Sequence, residues 1–182
     1  MDFGGKHMIY YTADLHFCHK GVILMNNRPF EDVEKMNTAI VDNYNKIVSN
    51  NDTVYILGDI GFPKNQTQVD DIIDLVKRLK GKKILIVGNH DHKLLKREEF
   101  INSFIEIAEY KSIMDGDRRV ILFHYPIAEW DGYFRDAVHL HGHIHNNNCD
   151  LIEHKNRFNV GIDVQDFKPV TLTELLNGKP KL

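Results

Sequence analysis

The residues from His139 to His145 read His-Leu-His-Gly-His-Ile-His, four imidazoles on alternate positions. In an extended strand alternate side chains share a face, so the pattern offers a row of imidazoles. Imidazole is the commonest protein metal ligand near neutral pH. A His-rich surface strand gives the same pattern, so other stretches have to decide. Four of them do: Asp14-Leu-His16, Gly58-Asp59, Gly88-Asn89-His90-Asp91, and His124. Each follows an apolar run and delivers a metal-competent side chain at its end. An i, i+2 pair in extended chain separates its Cα atoms by about 6–7 Å. Such a pair can serve two cations about 3.5–4 Å apart, the spacing of two-metal hydrolases. Gly58, Gly88 and Gly142 are expected to let the backbone turn beside these residues.

The elements that must position this set alternate strand and helix in the first half. Strands are predicted over 8–13, 53–57 and 83–87, each apolar or β-branched enough for burial on both faces. Helices are predicted over 19–27, 31–48, 69–79 and 93–104. The second half is strand-rich. A hairpin joins 105–114 to 118–123 around Asp115-Gly116-Asp117. A strand over 138–141 feeds the histidine row, and 158–164 reads as the last strand. Thr171 to Glu174 has the capping-box pattern that opens a short helix. The class is α/β, with ligands gathered where strands end.

The whole chain sets the bounds. Its 182 residues suit one domain, with 42% hydrophobic and 27% charged residues. The formal charge of −3 gives no global reason to expect nucleic acid or an anionic membrane as partner. Cys18 and Cys149 are the two cysteines, too few for a disulfide framework. No apolar run approaches the roughly 20 residues of a membrane span. The expected location is cytoplasmic. Residues 1–7 read as a leader, with Met8 as an alternative start, and 8–182 as the domain.

Taken in order, the motifs resemble those of the calcineurin-like metallophosphoesterases: Asp-x-His, Gly-Asp, Gly-Asn-His-Asp, His, Gly-His-x-His. Asn27-Arg28-Pro29-Phe30, His124-Tyr125-Pro126 and Asn159-Val160-Gly161 also look like small stand-alone members. The resemblance implies a four-layer α/β/β/α sandwich of two mixed β-sheets flanked by helices. It implies two divalent transition metals, from Mn, Fe, Ni, Co or Zn. Asp14, His16, Asp59 and His145 would hold one. Asp59, Asn89, His124 and His143 would hold the other. The implied reaction is hydrolysis of a phosphomonoester or phosphodiester by a metal-bound hydroxide. His90 would protonate the leaving oxygen, with Asp91 orienting its ring.

Arg28 and His19 are candidates to face a small phosphate-ester substrate, Arg28 through its planar fork or else in a surface salt bridge. His139 and His141 are expected to pack or support the ligands. Cys18 is expected to be a small buried residue. Trp130, Tyr133 and Phe134 either wall the pocket or pack in the core. A nuclease is the alternative activity. A non-catalytic scaffold of the same fold is the competing class, and the full donor set argues against it.

Overall fold

A computed structural model of the chain describes residues 7–147 and 154–178. Cys149 and residues 1–6 of the expected leader lie outside them. Strands β1 (Ile9–Thr12), β2 (Thr53–Ile56), β3 (Lys82–Ile86) and β4 (Glu106–Ala108) form one sheet, parallel throughout. Strands β5 (Tyr110–Asp115), β6 (Arg118–Phe123), β7 (Val138–His141) and β8 (Arg157–Asn159) form a second, mixed sheet. There β5 runs antiparallel to β6, and β6, β7 and β8 are parallel. The first of the two sheets expected to be mixed is therefore purely parallel.

Period-two alternation explains the continuous apolar runs of the first sheet. Val54, Ile56 and Leu85 face a layer made by helices α1 (Lys20–Met25), α2 (Val33–Ile47), α3 (Gln66–Arg78) and α4 (Glu98–Ile101). Tyr55, Leu57, Ile84 and Ile86 face Val120, Leu122, Val138 and Leu140 of the second sheet. With both faces covered, the middle of each strand is apolar in its turn, and the polar residues Thr12, Thr53, Lys82, Lys83 and Glu106 stand at strand ends. Each fully buried aliphatic side chain contributes about 1.5–3 kcal/mol of transfer free energy.

Helix α2 starts at Asp32, whose carboxylate accepts from Lys35 N at 2.7 Å. Helix α3 starts at Asn65, which accepts from Gln68 N at 3.0 Å. Both present an apolar stripe to the sheet, Met36, Ile40 and Tyr44 from one and Val69, Ile72 and Val76 from the other. Helix α5 (Leu172–Asn177) opens with the predicted capping box of Thr171 and Glu174 and packs Leu172 and Leu175 into the inter-sheet core. The outer face of the second sheet is covered by the loop between β6 and β7, where Trp130 and Ala137 pack on Ile121.

Several expected elements differ. The strand predicted over 105–114 is two strands, β4 and β5, in different sheets. The chain crosses from one sheet to the other at Glu109, a step no residue pattern announces. The helix predicted over 93–104 is a 3₁₀ turn (Asp91–Lys96) followed by short α4. The strand predicted over 158–164 is β8 followed by a 3₁₀ turn (Ile162–Val164). The apolar spacing of Phe158, Val160 and Ile162 reflects burial in both conformations.

Candidate metal centre

The carboxyl ends of β1, β2, β3, β6 and β7 lead into loops that meet at one edge of the sandwich. The loops after β1 and β2 run side by side, with Asp14 N donating to Gly58 O, His16 N to Asp59 O and Phe17 N to Ile60 O at 2.9–3.0 Å. Beyond them Ala13 bridges to Gly161 in parallel. This stitching brings the two sheets together at the site.

Two groups of donors result. In one, atoms of Asp14, His16 and His145 lie within 4.8 Å of one another, and in the other those of Asp59, His124 and His143 do. Asp59 Oδ2 lies 3.6 Å from His16 Nε2 and 3.6 Å from His124 Nε2, so one carboxylate reaches both groups. Asn89 Oδ1 is 3.0 Å from His124 Nε2.

The donor set fits cations rather than protons. His124 Nδ1 meets Leu57 O at 2.7 Å, and a carbonyl only accepts, so this ring nitrogen carries the proton. Its Nε2 then turns a lone pair toward the oxygens of Asp59 and Asn89. His145 Nδ1 likewise meets Asp163 Oδ2 at 2.7 Å, leaving Nε2 bare. His16 Nε2 is buried without a hydrogen-bond partner. Converging lone pairs of this kind suit a cation, and anchored Nδ1 atoms are how proteins aim such imidazoles.

Local backbone strain serves the same end. Asp14, His16, Asp59, His143 and His145 all have left-handed backbone, with φ between 50° and 71°. For residues other than glycine this is uncommon and clusters at functional sites. It also corrects the extended histidine row. Strand β7 ends at His141, and His143 and His145 are carried by turns. His139 and His141 point to the other side, away from the donors. His139 sits under the loop after His124, with Nδ1 3.2 Å from Ile121 O and its Nε2 accepting from Ile127 N at 3.4 Å. Of the glycines, Gly58 has positive φ, but Gly88 and Gly142 are required by proximity. A Cβ on Gly142 would stand 2.5 Å from Asp14 Oδ2, and one on Gly88 2.4 Å from Asp59 Oδ1.

Burial sets the charge balance. It pushes the Asp14 carboxyl up to about 7 in the metal-free protein, against the pull of His145 and with the push of Asp59. His16 is driven well below the ordinary imidazole value, by burial first and by neighbouring His145 and Arg28 next. His124 and His143 also fall, by burial. Burial thus favours the neutral form of His16, His124 and His143, the form that ligation requires.

Two expected roles change, those of Arg28 and Asp91, and the alternatives open for Trp130 are decided. Arg28 is buried and every N–H of its guanidinium is engaged. Nε and one terminal nitrogen bind Asp163 at 2.8 and 2.9 Å, and the fork also reaches Asp14 O, Leu15 O and Met36 Sδ. It has no donor left for a phosphate, and its ion pair is not on the surface. Asp91 does not touch the His90 ring. Its carboxylate accepts from the backbone N–H of Asp59, Ile60 and Gly88 at 2.8–3.0 Å, tying the second and third loops together. Trp130 packs in the core beside Ala137, while Phe134 is exposed.

His90 stands at the open side with its side chain 37% exposed, its backbone N–H on Asp59 Oδ1 at 2.9 Å. His19 lies beside it, Nδ1 3.3 Å from His16 Nδ1 and its ring stacked on Phe62 at 4.4 Å. Burial lowers His19 to about 4. Cys18 is half-buried, its sulfur accepting from Asn37 Nδ2.

Sequence reading missed Asp163, the carboxylate linking Arg28 to His145. The available signal was a lone acid inside the apolar run from Val160 to Val164, since a buried carboxylate needs partners.

A two-sheet α/β sandwich with a His/Asp centre at its strand ends is the architecture of a metal-dependent phosphoesterase family. The chain belongs to the calcineurin-like phosphoesterases, whose family profile matches residues 7–168. It is 34% identical over 168 residues to an uncharacterized protein of Methanocaldococcus jannaschii, covering 90% of this chain and 86% of that one. It is 26% identical over 179 residues to the gene 66 protein of Mycobacterium phage L5, covering 85% and 86%. The crystal structure of a protein of unknown function from Aquifex aeolicus superposes with a TM-score of 0.74 at 28% identity, covering 95% of this chain and all of that one.

Proposed function

We propose that the protein hydrolyses a phosphomonoester or phosphodiester with two divalent transition-metal ions at this centre. The observation that carries the reading is Asp59, whose Oδ2 stands 3.6 Å from an imidazole of each donor group. In this reading Asp14, His16, Asp59 and His145 hold one ion, and Asp59, Asn89, His124 and His143 the other. Bound there, the two ions supply positive charge for a phosphoryl group and lower the pKa of water. The chain's own residues do the rest. Asp59 joins the two halves. Leu57 O and Asp163 hold His124 and His145 in the tautomer that leaves Nε2 free. His90 carries a proton to the leaving oxygen from the open side. Mixed nitrogen and oxygen donors suit Mn, Fe, Co, Ni or Zn.

A small phosphate ester is the favoured substrate, since the chain is slightly acidic overall, and a nuclease is the second reading. No helix among the described residues is long and apolar enough to cross a membrane. The scarcity of cysteines supports a reducing, cytoplasmic setting. The test is metal content by elemental analysis, with turnover of p-nitrophenyl phosphate and bis-p-nitrophenyl phosphate. Two ions per chain and metal-dependent turnover are expected. No bound metal after reconstitution with manganese or nickel ends the reading.

A further inference from the structure

Between the loop that follows Phe62 and the 3₁₀ turn that follows His90 lies a hollow of about 240 Å³. Pro63, Lys64 and Gln66 line one side, and Lys93, Lys96 and Arg97 the other. Pro63 at its edge directly follows Phe62, whose ring packs on His90 at 4.8 Å and on His19 at 4.4 Å. Lys64 follows Phe62 by two residues, and its charge reaches His19, helping to hold that imidazole neutral. Lys93 follows His90 by three and donates from Nζ to Pro63 O at 3.1 Å, which fixes its place at the hollow while leaving its charge unpaired.

The charge balance here is opposite to that of the whole chain, which is −3. No acidic residue lines the hollow. The carboxylates of Asp70 and Glu99 are both engaged by Arg97 of the lining, at 2.7 and 3.3 Å. These two carboxylates exceed the one guanidinium by a single negative charge, and against it stand three ammonium groups, Lys64, Lys93 and Lys96, which leave the surroundings net positive. Among the described residues none of the three takes part in an ion pair. The first turn of α3 contributes little, because Lys64 N and Gln68 N already donate to the side chains of Gln68 and Asn65. Three like charges around one concavity repel one another and gain from an anion between them.

We propose that this hollow binds a second phosphate of the substrate while the first lies at the metal centre, a proposal that rests on the phosphoesterase reading above. A single-phosphate ester fills the centre alone. A substrate with a further phosphate spans Phe62 and reaches the lysines. Phosphates in a row occur both in nucleoside polyphosphates and in short single-stranded nucleic acid, and the recognition chemistry is the same.

The test is calorimetry on manganese-loaded wild type and a Lys64→Ala/Lys96→Ala variant. Both lysines are exposed and outside the donor set, so the variant should fold and load metal normally. The probes are adenosine 5′-(β,γ-imido)triphosphate and pentathymidylate, with adenosine monophosphate as the single-phosphate control. The expected result is a loss of about tenfold for at least one longer probe, with no change for the control. The salt dependence for that probe should also fall by about one unit of slope per lysine removed. Whichever probe loses affinity identifies the source of the second phosphate. Unchanged affinity for both longer probes, or an equal loss for the control, overturns the proposal. Turnover of adenosine monophosphate or pentathymidylate registers as continuing heat after each injection, separate from the heat of binding, so absence of hydrolysis in the wild type counts against the phosphoesterase reading and leaves the binding result standing on its own.

Discussion

Replacing Asp163 probes how the site and the fold are joined. Its carboxylate is almost wholly enclosed, takes two hydrogen bonds from Arg28 and takes one from His145 Nδ1. Burial pushes its pKa up, but these bonds outweigh it and hold the group below the ordinary carboxylate value. Asp163→Ala leaves the buried guanidinium uncompensated, at a cost of about 3–5 kcal/mol. For a chain of this size that is a fall in melting temperature of about 6–20 °C. It also frees the His145 ring to take the wrong tautomer, which should weaken metal binding about 10–100-fold. A double variant, Arg28→Met with Asp163→Leu, separates the two effects. Removing both charges should recover much of the stability, since well-packed apolar pairs can replace a buried ion pair. It should not recover metal affinity, because His145 Nδ1 still lacks its acceptor. The assays are thermal melts of chelator-treated protein and metal titration against a chromogenic chelator. Full recovery of metal affinity in the double variant, or an unchanged melt for Asp163→Ala, would refute the reasoning.

Asp59→Asn should lose metal at both positions, while His90→Asn keeps metal and loses turnover; equal metal loss, read by elemental analysis, would show that His90 has the wrong role. Gly142→Ala should deplete metal and destabilise the protein by several kcal/mol, about the cost of overpacking or a forced backbone shift, because its Cβ would stand 2.5 Å from Asp14 Oδ2. An unaltered metal content and melt would mean that the loop yields freely. Metal binding near pH 6.5 should release protons, since Asp14 sits near about 7 without metal and cations favour its charged form; calorimetry in buffers of different ionisation enthalpy reads the number, and zero contradicts the assignment. His139, which burial holds at about 4, binds fewer protons folded than unfolded between that value and about 6.5, so stability should rise with pH across that window. His139→Gln should flatten the rise in chelator-treated protein by about 2–3 kcal/mol over the window, and a slope unchanged from wild type would exclude His139 as its source.

The residue types of the candidate centre were legible in the chain. Asp14, His16, Asp59, Asn89, His124, His143 and His145 each stand just after an apolar run, and chemistry limits which side chains bind metal at neutral pH. Strands β1, β2 and β3 were equally plain, because burial on both faces confines their polar residues, Thr12, Thr53, Lys82 and Lys83, to the ends of apolar runs. Three things depended on the tertiary structure. The crossing from β4 to β5 is a choice between two sheets that both accept the same apolar residues. The directions of His139 and His141 away from the donors, and of His143 and His145 toward them, follow from where β7 stops and left-handed turns begin, and the strand's sequence period cannot encode that point. The roles of Arg28 and Asp91 were decided by burial. A guanidinium in water is free to grip a phosphate, but one enclosed beside Asp163 and two carbonyls has all its donors engaged. The partner, Asp163, lies 135 residues away in the chain. Only folding brings it within reach, so local pattern does not reveal the pair.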